Sequence, residues 1–320
     1  MSKPKVGLYW CSSCGGCEES VVDLAEDILT VVEAVDICFW PVAMDFKYED
    51  VEAMQDGEFV ATLINGAIRT DEQEHLAKLL RKKSQLIIAH GSCAHLGGVV
   101  GLANFYNKDD ILDTAYKDVP SVTNPKKILP QVKSEEKGKV LELPAFHAQV
   151  KTLDQVVDVD YYIPGCPPPP ALVKNALMAI LEGKLPPKGT VLAEKKALCD
   201  SCSLKESKPE KMQITEFKRL YEIEWDPEKC FLAQGIICLG PATRDGCDER
   251  CIKANFPCRG CFGPTDEVND QGAKFLSALA SIIETDDEEE MKKIVASIPD
   301  MAGLFYRYSL AASILNKRMS

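Results

Sequence analysis

The sequence lacks features that would place it in a membrane, outside the cell or on nucleic acid. No apolar run reaches the roughly 18 residues that a spanning helix needs. Residues 1–5 show neither a twin-arginine motif nor an apolar signal segment, so we expect a cytoplasmic protein. The net charge of -12 argues against a nucleic-acid-binding surface. Residues 284–290 hold much of that charge and are typical of a solvated loop or helix start.

Cysteine, in contrast, is abundant, with 14 residues in a chain of 320. The length favours two domains, and 46% hydrophobic with 27% charged residues is ordinary globular composition. Cytosolic thiols are kept reduced, so a cysteine-rich pattern there more often binds metal than forms disulfides. Cys-x2-Cys spacing recurs along the chain, in Cys14/Cys17, Cys199/Cys202 and Cys258/Cys261. Metal sites are therefore expected, with zinc as the main alternative to iron and sulfur.

The first cysteines each follow a predicted buried strand. Residues 5–10, 85–89 and 159–163 are apolar runs, followed by Cys14 and Cys17, by Cys93 and by Cys166 respectively. The carboxyl ends of parallel strands meet at one edge of a doubly wound sheet, so these four thiolates can converge. Four converging thiolates suit an iron-sulfur cluster.

Strand and helix patterns alternate through the first half of the chain. Further strands are predicted at 36–42 and 59–64, and helices at 18–34 and 72–82. This order indicates an α/β fold with a flavodoxin-like, doubly wound parallel sheet. The first strand-to-helix loop lacks a Ser/Thr-rich phosphate cradle, so we expect a cluster there instead of a flavin phosphate.

The second half changes character. After a predicted helix at 171–181 and a linker at 182–189, residues 190–265 hold eight cysteines with little periodicity, which favours a module organised around metal sites. Amphipathic helices are predicted at 272–283 and 291–298. The expected division is a flavodoxin-like domain at 1–186, a small irregular cluster domain at 187–265, and a C-terminal helical segment at 266–320.

Three segments resemble the electron-transferring small subunit of [NiFe]-hydrogenases: Cys14-Gly-Gly-Cys17-Glu18-Glu19, Gly91-Ser-Cys93-Ala-His-Leu-Gly-Gly98 and Pro164-Gly-Cys166-Pro-Pro168. The resemblance implies that Cys14, Cys17, Cys93 and Cys166 hold the cluster nearest the nickel site. Glu19 matches the glutamate of the first motif and is expected near the cluster or as a helix cap. His90 and His95 flank Cys93 and are expected to be hydrogen-bond donors at most.

The resemblance also implies two further clusters. The distal set is Cys199, Cys202, Cys230 and Cys238, and the medial set is Cys247, Cys251, Cys258 and Cys261. Cys199 stands where the family has a histidine ligand of the distal cluster. Cys251 lies near the position of a family proline, and this fourth medial thiolate implies a [4Fe-4S] cluster where the family has a [3Fe-4S] cluster. Three [4Fe-4S] clusters are therefore expected, with the division of Cys238 and Cys247 between the two sets left open. Cys11 and Cys38 are expected to be buried apolar residues. Gly16 and Gly98 replace the extra cysteines of oxygen-tolerant relatives, so the chain looks oxygen-sensitive.

The nickel-binding pair of Cys-x2-Cys motifs is missing, so the resemblance implies a separate large subunit and no catalytic residue here. Residues 9–17 and twelve cluster cysteines look most like the methyl-viologen-reducing class. That class passes electrons through a [2Fe-2S] subunit to heterodisulfide reductase. The alternatives are the small subunit of a deazaflavin- or NAD(P)-reducing hydrogenase, a quinone-reductase cluster subunit, and a zinc-stabilised interaction module.

Overall fold

The computed structural model describes residues 3–283, 285 and 287–316. The strands are β1 (Lys5–Trp10), β2 (Asp36–Phe39), β3 (Phe59–Asn65), β4 (Ile68–Thr70), β5 (Ser84–His90), β6 (Lys133–Glu136), β7 (Lys139–Glu142), β8 (Phe146–Lys151), β9 (Tyr161–Ile163) and β10 (Thr190–Val191). Six of them form one parallel sheet in the order β10-β9-β5-β3-β1-β2. Counted along the chain, this order is 2-1-3-4-5-6, which confirms the predicted flavodoxin-like sheet. Two antiparallel pairs, β4 with β8 and β6 with β7, lie outside it.

Short helices connect and cover the sheet and continue to the C-terminal end. They are α1 (Gly16–Val22), α2 (Asp27–Ala34), α3 (Tyr48–Ala53), α4 (Asp71–Lys83), α5 (Ser92–Leu96), α6 (Lys108–Asp113), α7 (Pro170–Leu181), α8 (Leu198–Ser201), α9 (Arg250–Lys253), α10 (Gln271–Ala280), α11 (Glu288–Ala296) and α12 (Met301–Phe305). Among the described residues, no helix is long and apolar enough to cross a bilayer.

The central strand β3 is buried on both faces, as a strand in the middle of a parallel sheet must be. Successive side chains point to opposite faces, so Leu63 joins the core that α7 covers and Ile64 joins the core that α4 covers. On α4, Leu76 and Leu80 are one turn apart and completely buried. A capping box starts this helix, because Gln73 Oε1 accepts from the Thr70 amide at 3.2 Å while Thr70 Oγ1 accepts from the Gln73 amide at 3.3 Å.

Two predicted elements differ in the structure. The single helix expected at 18–34 is two helices, because Ala25 adopts a left-handed backbone conformation with φ of 51° between α1 and α2. The strand expected at 36–42 ends at Phe39, since Pro41 has no amide hydrogen with which to continue a ladder. The other predicted helices and strands of the first half begin and end within a few residues of the expected positions.

A third core lies in the cysteine-rich half and extends into the C-terminal helices. Leu198, Phe231, Ile252, Phe275 and Phe305 belong to it. Apart from the short α8 and α9, the chain from 192 to 265 consists of turns and 3-10 segments, as the missing periodicity predicts.

The helices expected at 272–283 and 291–298 are present as α10 and α11. In the acidic run, Glu284 and Asp286 lie outside the described residues, and Asp287 caps α11 by accepting from the Glu290 amide at 2.8 Å. The domain boundaries at 186 and 265 stay a prediction, although β10 extends the sheet to residue 191.

Candidate cluster-binding sites

Four thiols meet where parallel strands end. Cys14 follows β1, Cys17 lies in α1, Cys93 lies in α5 directly after β5, and Cys166 follows β9. Burial raises the pKa of Cys93 to about 12, and the charges of Cys166 and Cys14 add to that rise. The pKa of Cys17 is raised in the same way by burial and by the other three thiols. The fold therefore brings together all four members of the predicted proximal set.

Two glycines leave room for the sulfur atoms of this set. A Cβ atom on Gly91 would overlap the Sγ atom of Cys17, and a Cβ atom on Gly98 would overlap the Sγ atom of Cys93. Both glycines also have positive φ angles, of 85° and 60°. Only glycine combines that backbone conformation with so close an approach. The loops around the thiols are therefore fitted to sulfur ligands.

A buried carboxylate anchors the loop that carries Cys14 and Cys17. Glu18 is 6% exposed and accepts hydrogen bonds from Trp40 Nε1 and Asn65 Nδ2. Asn65 Oδ1 in turn accepts from Ser13 Oγ at 2.9 Å, which ties the loop to the end of β3. Burial raises the pKa of Glu18, although both hydrogen bonds oppose the rise.

Sequence reasoning chose Glu19 here and missed Glu18. Glu19 is exposed in the first turn of α1, where a carboxylate interacts favourably with the helix dipole. No side-chain hydrogen bond caps α1, so the expected role of Glu19 as a helix cap stays a prediction. No signal in the sequence separates two adjacent glutamates, because only tertiary packing decides which of them is buried.

Of the two histidines near Cys93, His90 is buried and His95 is half-buried, and both have other partners. His90 Nε2 lies 3.2 Å from Ser20 Oγ, and that hydroxyl donates to the Cys17 carbonyl at 2.7 Å. His95 stacks on Tyr162 with ring centroids 4.5 Å apart. Burial lowers the pKa of His90 to about 4, and burial with the nearby Arg244 charge lowers that of His95 to about 3. His90 thus supports the Cys17 backbone through Ser20.

A second set of thiols surrounds an apolar cavity. Its four cysteines are Cys199, Cys202, Cys230 and Cys238, and the remaining wall includes Leu198, Phe231, Leu232 and Ile252. Burial raises the pKa of Cys199 to about 12, with smaller contributions from the other three thiols. A Cβ atom on Gly240 would lie 2.9 Å from Cys199 Sγ, so glycine again leaves space for sulfur.

A third set lines a separate cavity. Its four cysteines are Cys247, Cys251, Cys258 and Cys261, which share the wall with Thr243, Arg259 and Phe262. Cys251 lies on α9. The structure thus groups Cys238 with the second set and Cys247 with the third, which is the division chosen from the sequence. The assignment of all twelve as ligands stays a prediction.

Direct contacts connect the three sets in a defined order. Burial raises the pKa of Cys261 to about 12, and a hydrogen bond from the Cys166 backbone amide opposes that rise. Ser92 Oγ, beside Cys93, donates to the Cys261 carbonyl. The Cys258 amide donates to Cys238 Sγ at 3.3 Å. The third set therefore lies between the first and the second.

The last two cysteines lie elsewhere. Cys11 is 5% exposed in the core with Tyr9, Phe39 and Ile64, and burial raises the pKa of its thiol. Cys38 is half-buried on β2 and packs against the same core. Both positions match the expected role of small apolar residues.

The thiol sets differ from a site for one metal ion. Within the described part of the chain, no three or more histidine, cysteine, aspartate or glutamate side chains are placed to hold a single ion. A structural zinc site needs four ligands within about 2.0–2.3 Å of one ion. Four cysteines line each of the second and third cavities, which is the ligand number of a [4Fe-4S] cluster.

Comparisons with known proteins agree with this chemistry. The family model described as "NADH ubiquinone oxidoreductase, 20 Kd subunit" matches residues 14–180, a range that contains the first thiol set. The iron-sulfur subunit of the F420-non-reducing hydrogenase of Archaeoglobus profundus is 40% identical over 98% of both chains. The corresponding subunit of the F420-non-reducing hydrogenase of Methanothermobacter thermautotrophicus is 35% identical over 98% of this chain and 96% of that protein. The delta subunit of sulfhydrogenase 2 of Pyrococcus furiosus is 26% identical over 91% of this chain and 97% of that protein.

Sheet, thiol sets and relatives together define an iron-sulfur subunit of a hydrogenase, an oxidoreductase. Within that class, the chain belongs to the family of iron-sulfur subunits of F420-non-reducing hydrogenases, which is the methyl-viologen-reducing class. The resemblance found in the sequence is thereby confirmed.

Proposed function

We propose that this chain relays electrons from H2 oxidation at a nickel-iron site in a separate large subunit, through three [4Fe-4S] clusters, to an iron-sulfur or flavin partner. Heterodisulfide reductase, reached through a [2Fe-2S] subunit, is the proposed acceptor. The observation that carries the proposal is the order of the three thiol sets, each in contact with the next. Electron tunnelling weakens steeply with distance, so a relay needs closely spaced stations.

The proposed ligands follow the three sets. Cys14, Cys17, Cys93 and Cys166 would hold the proximal cluster, Cys247, Cys251, Cys258 and Cys261 the medial cluster, and Cys199, Cys202, Cys230 and Cys238 the distal cluster. Bound clusters would supply reversible one-electron chemistry at potentials set by ligand type, charge, hydrogen bonding and exposure. Four thiolates at the distal position favour a low potential, which suits an iron-sulfur partner better than a higher-potential cytochrome.

The sheet edge that carries the first set is the proposed docking face for the large subunit. Cys14 and Cys166 are exposed in the single chain, and the neighbouring Trp10 is 39% exposed. A partner that covers this edge would shield the cluster from water and bring it close to the nickel site. The third set, between the other two, would then carry electrons away from the interface.

Similarity to the F420-non-reducing hydrogenases ranks the alternatives. These relatives are named as hydrogenases that do not reduce F420, which is the deazaflavin coenzyme. They are 35–40% identical to this chain over nearly its whole length. The quinone-reductase alternative is supported only by the family match, which ends at residue 180 and leaves out the second and third thiol sets.

The test is to remove the distal cluster with Cys202→Ala in the anaerobically purified complex. Electron delivery to the natural partner should be lost, while H/D exchange at the nickel site should persist because exchange needs no relay. Cys38→Ala is the matched control, since it removes a thiol outside the three sets and should leave both activities intact. Unimpaired electron delivery in Cys202→Ala, with the distal cluster shown to be missing, would place the exit elsewhere.

A further inference from the structure

One cationic side chain lines the cavity of the medial set. Arg259 lies in the chain between Cys258 and Cys261, and it shares the cavity wall with all four medial thiols. Among the described residues of that wall, it is the one with a positive charge. Arg259 also reaches an outer groove, which it lines together with Arg307. Its guanidinium therefore lies between the medial cavity and the surface.

An aromatic ring, instead of a carboxylate, supports this guanidinium. Arg259 Cζ lies 4.8 Å from the centroid of the Phe256 ring, whose face attracts a cation without neutralising it. Arg259 Nε is buried and has no hydrogen-bond acceptor in the described part of the chain. Burial lowers the pKa of Arg259 from its ordinary value, but that value is so high that the guanidinium stays protonated at any working pH.

The carboxylates nearest to these surfaces have other partners. Glu249 lines the medial cavity, but its carboxylate accepts from the Ser203 amide at 2.8 Å, beside Cys202 of the distal set. Asp300 lines the outer groove and accepts from the Gly303 amide at 3.0 Å at the start of α12. The positive charge of Arg259 is therefore not compensated by an ion pair with either group.

We propose that Arg259 raises the reduction potential of the medial cluster by holding an uncompensated positive charge against it. Reduction adds an electron, and a nearby cation in a partly buried, weakly screened position stabilises the more negative state. Arg259 would act by its charge and position, not as a ligand. This inference rests on the proposed function, since it requires a cluster in the third thiol set.

The first test is Arg259→Gln in the anaerobic complex, with each cluster titrated against potential and followed by electron paramagnetic resonance. The medial midpoint should shift to a lower potential, while the proximal and distal midpoints stay in place. Arg250→Gln is the matched control. It removes an exposed arginine directly beside Cys251, whose charge water screens, and should leave the medial midpoint where it is.

A second variant keeps Arg259 and neutralises its field. Phe256 is 43% exposed, so Phe256→Glu should fold and place a carboxylate beside the guanidinium. The medial midpoint should again fall, and Phe256→Gln should cause a smaller change. An unchanged medial midpoint in Phe256→Glu, with full iron content, would overturn the inference and leave the proposed relay standing. A parent complex without any medial cluster signal would instead contradict the proposed function.

Discussion

At the scale of the residue, the space around a thiol depends on neighbouring glycines, which have no side chain. Gly91 has a positive φ angle of 85°, and any side chain there would overlap Cys17 Sγ. Gly138 has a similar φ angle of 75°, but no atom lies within 4 Å of a Cβ atom added there. An added side chain would therefore meet the Cys17 sulfur at Gly91 and open space at Gly138.

We predict that Gly91→Ala loses the proximal cluster, because the new methyl group displaces Cys17 Sγ. Iron should fall by about four atoms per chain, the content of one [4Fe-4S] cluster. Gly138→Ala also places alanine at a positive φ angle, at a cost of about 1–2 kcal/mol, but its methyl group meets no atom, so this variant should keep all its iron. Full iron in Gly91→Ala, measured on the purified complex, would show that the proximal loop tolerates a side chain beside the sulfur.

Cys11 tests which two of Cys11, Cys14 and Cys17 bind the proximal cluster. Its thiol packs in the apolar core and should not bind iron, so Cys11→Ala should keep the full iron content. Removing one buried sulfur atom should cost about 1 kcal/mol of folding free energy. Cys17→Ala, in the first turn of α1, is the contrasting variant and should lose the proximal cluster. Loss of iron from Cys11→Ala would mean that a different pair of the three cysteines binds it.

At the scale of the element, one carboxylate joins α4, β5 and the chain before β10. Asp160 accepts from Arg81 at 2.6 Å, from the Ile87 amide at 2.7 Å and from Lys188 at 2.5 Å. Burial opposes its ionisation, but the hydrogen bonds from Lys188, Ile87 and Arg81 outweigh burial and lower its pKa. Asp160 thus holds the start of β9 against the middle of β5.

We predict that Asp160→Asn lowers the stability of the complex by about 2 kcal/mol, the usual value for hydrogen bonds to a charged group. Because the pKa of Asp160 is lowered, its contribution is complete above the unfolded value of about 3.9 and is lost only as pH falls through the folded value. The difference in thermal midpoint should therefore be constant from about pH 6 to 8.

Asp158→Asn is the control for that substitution. Asp158 is exposed, and its backbone carbonyl, not its carboxylate, accepts from Arg81. Its thermal midpoint should match that of the parent. Equal midpoints for Asp160→Asn and the parent would show that the junction contributes nothing to stability.

Sequence patterns predicted the elements whose buried residues form apolar runs or recur at helical spacing. The central strands are apolar runs, and α4 has a capping box and a clear apolar face, so their positions could be predicted. β6 and β7 escaped because every residue in them is exposed and several are charged. The break at Ala25 escaped because Val21, Leu24 and Val31 keep helical spacing on both sides of it.

The candidate sites show the same limit. Cysteine spacing and the ends of predicted strands were enough to group the thiols. Glu18 and Arg259 were not singled out, because their roles depend on Asn65, Trp40 and Phe256, which lie elsewhere in the chain or carry no motif.

At the scale of the whole molecule, the three thiol sets follow one path. The path starts at the sheet edge, passes the medial cavity and ends at the distal cavity. The half that contains the sheet presents one thiol set at an exposed edge, and the irregular, cysteine-rich half contains the other two. The proposed relay from a partner at the sheet edge would therefore use all three sets.

The central claim is that each set holds a four-iron cluster. Metal analysis of the anaerobically purified complex, combined with electron paramagnetic resonance of its oxidised and reduced forms, tests it most directly. We predict about twelve irons per chain, no zinc in the thiol sets, and no [3Fe-4S] signal after oxidation. About eight irons, or a [3Fe-4S] signal in the oxidised protein, would contradict the account and remove Cys251 from the medial ligands.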